Sequence, residues 1–99
     1  MPRPKKCRRI CALPRSSSFG PLEGETAGVV ELALEEYEAI RLIDLLGCTQ
    51  AECAAQMEVA RSTAQAVYDA ARTKLARALV EGRRLVIAGG DYALCPHAA

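Results

Sequence analysis

Arg61, Ser62, Thr63 and Gln65 lie within five positions of one another, and no acid follows until Asp69. Placed at the start of a helix, these side chains put one cation and several hydrogen-bonding groups in its first turns. A DNA major groove is read by such a set. Arg can pair with guanine O6 and N7, Gln can pair with adenine, and the first residues of a recognition helix reach base edges. Just upstream, Thr49 and Gln50 open a second helical segment, where side chains and unpaired amides can hold phosphate.

The termini hold a different chemistry. Cys7 and Cys11 are spaced Cys-x3-Cys, and Cys95 with His97 forms Cys-x-His. Together they make four soft or borderline ligands, enough for tetrahedral zinc or for iron. Neither spacing is a strong zinc signature. The chain holds five cysteines, and an odd number without a secretory signal argues against a disulfide framework. Cys53 occupies a core slot and reads as a small buried hydrophobe; Cys48 reads the same way. The bland alternative for the terminal set is reduced free thiols.

The elements that must position these groups follow from periodicity and punctuation. Leu34, Tyr37, Ile40, Leu42, Ile43 and Leu46 carry helical spacing, so a first helix is expected over 34–46, with Gly47 as its stop. Thr49-Gln50-Ala51-Glu52 is a capping box for a short second helix that ends near Met57. A third helix is expected from about Arg61 to Val80, stopped by Gly82, with Ala64, Val67, Tyr68, Ala71, Leu75, Ala78 and Leu79 on its inner stripe. Val29–Leu32 and Arg84–Ala88 look like brief strands that could pair.

Helices two and three, joined by Glu58-Val59-Ala60, match a helix-turn-helix pattern. Ala54 is the small residue at the crossing, and Cys53, Met57, Val59, Ala64 and Val67 fill the shared core. Two positions depart from it. Glu58 stands where the turn favours Gly, and Ala60 stands where Ser or Thr would cap, a loss of about 1 kcal/mol. The fold class expected is mainly α: a three-helix helix-turn-helix domain with a short two-stranded β element. Residues 1–28 read as a basic arm and loop, 29–90 as the domain, and 91–99 as a tail. The competing reading is an ordinary three-helix bundle.

Charge is segregated along the 99 residues. Residues 1–15 hold six basic groups and no acid, 16–59 hold nine acids and only Arg41, and 60–99 hold six basic against three acidic. A net charge of +1 therefore conceals two basic ends, which suits a polyanion partner. Arg3, Lys5, Lys6, Arg8 and Arg9 could follow a phosphate backbone or enter a minor groove. Neutralising six phosphates would give a salt slope of about −5.

Only Phe19, Tyr37, Tyr68 and Tyr92 are aromatic, few for stacking on single-stranded RNA. No apolar run is long enough to span a bilayer, and no signal peptide is visible, so the expected location is the cytoplasm. An enzyme is disfavoured. The single His97 lies near the end, there is no glycine-rich phosphate loop, and a cysteine nucleophile would lack a base beside it.

Several stretches resemble one family. The opening Met1-Pro2-Arg3-Pro4-Lys5-Lys6-Cys7-Arg8-Arg9-Ile10-Cys11, the run Glu35 to Asp44, the run Thr49 to Met57, Ala70-Ala71-Arg72 and Gly89-Gly90 are similar to a prokaryotic family of DNA-binding proteins, uncharacterised protein family 0251 (domain of unknown function 134). The resemblance covers nearly the whole chain. It implies a helix-turn-helix like the last region of bacterial sigma factors and a role in transcription, with no established target, ligand or reaction. In that family the turn usually reads Gly-Val-Ser; here it is Glu58-Val59-Ala60, and Ala64 fills a position that is usually bulky.

Two functions stand against each other at this point. One is a DNA-binding regulator acting as a homodimer on double-stranded DNA, since one short unit reads few base pairs. The other is a metal-binding or redox-sensing module built on Cys7, Cys11, Cys95 and His97, whose helices serve protein contacts.

Overall fold

The computed structural model describes residues 8–90 and 92–94. It contains strands β1 (Arg8–Ile10), β2 (Ser18–Phe19), β3 (Val29–Leu32), β4 (Arg84–Ile87) and β5 (Tyr92–Leu94). Three α-helices lie among them: α1 (Leu34–Ile40), α2 (Gln50–Met57) and α3 (Arg61–Glu81).

α1 starts where Glu36 turns its carboxylate back onto the Ala33 amide at 2.8 Å. Glu35 and Glu36 lie in its first turn, where acids offset the helix dipole. The helix expected over 34–46 does not continue regularly. Arg41–Leu45 form a π-helical turn, in which the Leu46 amide reaches back to the Arg41 carbonyl at 3.0 Å. The wider turn absorbs one extra residue. Leu42 stays in the core at 3% exposure, while Asp44 meets the Tyr68 hydroxyl at 2.8 Å.

α2 begins with the expected capping box. The Glu52 amide donates to Thr49 Oγ1 at 3.1 Å, and Thr49 N donates to Glu52 Oε1 at 2.8 Å. Glu58 ends α2 at φ 57, the one non-glycine residue with positive φ among those described. α3 follows after Val59 and Ala60 and runs 21 residues, about 30 Å. It stops where Gly82 takes φ 67 and returns its N–H to the Ala78 carbonyl.

The expected partnership of Val29–Leu32 with Arg84–Ala88 is present. β3 runs parallel to β4, with Val30 beside Leu85 and Leu32 beside Ile87. The β structure is larger than the two strands expected. β2 adds antiparallel to the far edge of β4. β1 and β5 form a second, parallel pair with Ile10 opposite Leu94. Residues 8–19, read from sequence as part of an arm and loop, thus supply two strands. Ile10 is fully buried. The reason is that β1 meets a partner more than eighty residues away, a contact with no local signature.

Two apolar clusters hold the molecule together. One joins Ile10, Val30, Leu32, Leu34, Leu85 and Ile87 to Ala71 of α3. The strands alternate, with Val30 and Leu32 inward and Val29 and Glu31 outward, as a half-buried sheet requires. The other cluster joins Ala39, Leu42, Cys53, Ala54, Met57, Ala64 and Val67. Its alanines keep the three helices close: Ala39 and Ala64 are fully buried and Ala54 nearly so. Among the described residues, no helix is long and apolar enough to cross a membrane.

Candidate nucleic-acid interface

The start of α3 presents the residues singled out by the sequence on one surface. Arg61, Ser62 and Gln65 are exposed and Thr63 is half-buried, while Ala64 between them turns into the core. Ala60 carries no capping side chain. The Ala64 amide is the first to find an intrahelical carbonyl, that of Ala60 at 3.0 Å, so the amides of the first turn are open to an outside acceptor. Arg61 has no ion-pair partner among the described residues.

Gln65 is held along the helix. Its Nε2 donates to the Asp69 carboxylate at 3.1 and 3.3 Å, and its amide oxygen remains to accept. Thr49, at the start of α2, is exposed, and its hydroxyl oxygen is occupied in the cap. Gln50 is half-buried, and its Oε1 is closed off from water without a hydrogen-bond partner.

The basic residues divide differently from the sequence expectation. Arg3, Lys5 and Lys6 lie outside the described residues. Arg8 and Arg9, expected to reach phosphate, are committed to carboxylates of the same chain. Arg8 pairs with Glu35. Arg9 donates through Nε to the Gln56 carbonyl at 2.9 Å and through Nη1 to Glu58 Oε1 at 3.2 Å. β1 is therefore pinned to α1 and to the α2–α3 turn. The Cys11 amide completes the attachment by donating to Glu38 Oε2 at 2.8 Å.

The acids of α1 are structural. Glu35, Glu36 and Glu38 are all buried. Glu38 accepts from Arg41 at 2.6 and 2.9 Å, and this hydrogen bond holds the Arg41 guanidinium above its usual pKa. A cation pairs with each of the three, as buried charge demands. Gly90 sits against this group at φ 94, and a Cβ there would collide with the Glu35 carboxylate.

A second network missed by the sequence links the π turn to α3. Asp44 accepts from Tyr68 Oη at 2.8 Å and from Arg72 at 3.1 Å, and Arg72 lies 5.7 Å from the Tyr68 ring centre. The Asp44 hydrogen bond raises the pKa of the Tyr68 hydroxyl and of the Arg72 guanidinium. Nothing local to Asp44 announced this. Its partners lie 24 and 28 residues on.

Of the terminal metal set, Cys7, Cys95 and His97 lie outside the described residues, and Cys11 is half-buried. No group of three or more His, Cys, Asp or Glu among the described residues could hold a metal ion. An open apolar groove of about 620 Å³ runs between α1, α3 and the sheet. Phe19, Tyr37, Ile40, Leu75 and Leu79 line it, and Arg83 is its one charged residue among those described.

Residues 1–95 match the family described as protein of unknown function DUF134. A UPF0251 protein from Desulfitobacterium hafniense (strain Y51) is 54% identical over 97 residues, covering 96% of this chain and 78% of the relative. One from Caldicellulosiruptor bescii is 51% identical over 92 residues, covering 93% of this chain and 65% of the relative. One from Clostridium novyi (strain NT) is 47% identical over 94 residues, covering 93% and 64%. No solved structure matches the chain. With the match running over residues 1–95 and relatives above half identity, the chain belongs to the DUF134 (UPF0251) family.

Proposed function

We propose that the protein binds double-stranded DNA through a helix-turn-helix made of α2, the Glu58–Ala60 turn and the start of α3. In this reading α3 is the recognition helix. Arg61, Ser62, Thr63 and Gln65 face base edges, and Thr49 and Gln50 face the phosphate backbone. Arg3, Lys5 and Lys6 remain candidates for backbone or minor-groove contact. The role is that of a cytoplasmic transcriptional regulator, similar to the last region of sigma factors and working as a homodimer, not that of an enzyme.

One observation carries the reading. A left-handed residue, Glu58 at φ 57, joins two helices packed over Ala54 and Ala64. An uncapped helix start follows, with Arg61 exposed and without an ion-pair partner among the described residues. The test is selection from a random duplex pool at near-physiological salt. An enriched motif, weakened by Arg61→Ala or Gln65→Ala, supports the reading. Recovery of no motif, with binding absent or dependent on salt alone, ends it as a sequence-specific regulator.

The metal or redox reading keeps one supporting observation. β1 and β5 pair in parallel with Ile10 opposite Leu94, so the described ends of the chain meet, and Cys11 directly follows β1. Stoichiometric zinc or iron in the purified protein, lost on Cys11→Ser, favours it.

A further inference from the structure

Glu58 presents an electrostatic difficulty for the reading just proposed. It stands three residues before Arg61, in the turn that would lie closest to a phosphate backbone, and its side chain is about half exposed at 48%. The C-terminal carbonyls of α2 add negative partial charge at the same spot. A bare carboxylate there would repel a polyanion.

Arg9 answers both features at once. Its guanidinium covers the Gln56 carbonyl at 2.9 Å and Glu58 Oε1 at 3.2 Å. It does so from a fixed mount. Ile10 beside it is fully buried, Arg8 pairs with Glu35, and the Cys11 amide is tied to Glu38 at 2.8 Å. β1 therefore delivers the guanidinium to the turn from 49 residues away in sequence.

We infer that Arg9 is a positioning and charge-shielding residue for the α2–α3 turn, acting on DNA affinity through Glu58 and not by touching phosphate. The inference rests on the DNA-binding reading. It makes a family-atypical acid in the turn compatible with an anionic partner, and it assigns Arg9 a role different from that of a basic arm.

The test is a double-mutant cycle on the full chain. Duplex binding is measured across a salt series for the wild type, Arg9→Ala, Glu58→Gly and the double variant, using the enriched motif as probe. Glu58→Gln serves as a second background that keeps the side-chain shape. Thermal melts confirm that each variant is folded at the assay temperature, and Arg9→Lys is the conservative rescue. Arg9→Ala is expected to weaken binding about fivefold, the upper range for an exposed pair. In the Glu58→Gly or Glu58→Gln background the same change is expected to shift affinity less than about twofold and leave the salt slope unchanged. Arg9→Lys is expected to recover part of the loss. An equal loss in every background, with the slope falling by about one, makes Arg9 a direct phosphate contact and overturns the inference while the DNA reading stands. No loss in Arg9→Ala overturns it as well. A wild type that binds no duplex at any salt removes both.

Discussion

Lys74 Nζ, midway along α3, lies 2.7 Å from Glu36 Oε1, the same oxygen that accepts the Ala33 amide at 2.8 Å. One carboxylate thus caps α1 and ties it to α3. Removing it takes away a capping acceptor worth about 1 kcal/mol and leaves Lys74 without its partner. Lys74 is about one-third exposed at 36%, so solvent screening reduces the ion-pair share. Glu36→Ala is expected to destabilise the fold by about 1–2 kcal/mol. Urea unfolding should show a lower midpoint with an unchanged slope. A midpoint equal to that of wild type would mean that the pair and the cap are idle.

α3 begins on Ala60, whose φ −65 and ψ 150 are those of a capping residue but whose side chain accepts nothing. Ala60→Ser supplies the missing acceptor at an exposed site where the new hydroxyl meets no obstruction from the core. The gain should be about 1 kcal/mol, which in a domain of this size is roughly 4–8 °C in Tm. Calorimetry checks it. An unchanged Tm would place the Ser hydroxyl out of reach of the first-turn amides.

These two sites show what the sequence could and could not reveal. The Thr49–Glu52 box, the left-handed demand at residue 58 and the stop at Gly82 are local devices, each written within four residues, and all three occur where the pattern puts them. The β3–β4 pairing followed from two apolar runs flanking the helices. The rest depended on distant partners. β1 is basic and only three residues long, and nothing near it announces β5 or the buried carboxylates of α1. The burial of Glu35 and Glu36 was not legible because their cations, Arg8 and Lys74, lie 27 and 38 residues away, whereas Arg41 stands only three residues from Glu38. The π turn escaped notice for a related reason: apolar spacing alone cannot tell a regular helix from one that absorbs an extra residue. For the candidate interface, Arg61, Ser62 and Gln65 were legible in the sequence, whereas the commitment of Arg8 and Arg9 to internal acids was not.

Cys53 is fully buried, with Sγ 3.7 Å from Met57 Sδ. Burial raises its thiol pKa, and the neighbouring Cys48 and Glu38 push in the same direction. The folded state therefore holds this proton more tightly than the unfolded chain does. Its contribution is fully present below the unfolded thiol value of about 8.5 and is lost as pH rises from there through the higher folded value. Stability should fall as pH rises above about 8.5, and the fall should be shallower in Cys53→Ala, which starts from a lower baseline because of its small cavity. Urea midpoints at pH 7 and pH 9.5 compare the two. Parallel declines would assign the alkaline loss to other groups.

The sharpest separation of roles lies between Arg61 and Thr49. Arg61 is exposed and has no ion-pair partner among the described residues. Arg61→Ala should leave stability within about 0.5 kcal/mol of wild type, as surface substitutions do. It should also weaken specific duplex binding by about 1–3 kcal/mol and relax preference at one base pair. Thr49→Ala breaks the Thr49–Glu52 box, so it should lower stability by about 1 kcal/mol and weaken all duplex sequences alike. Affinity across a set of single-base variants of the selected motif, read beside thermal melts, distinguishes these profiles. If Arg61→Ala lost affinity equally for every sequence, its guanidinium would be contacting phosphate, and base readout would pass to Ser62 and Gln65.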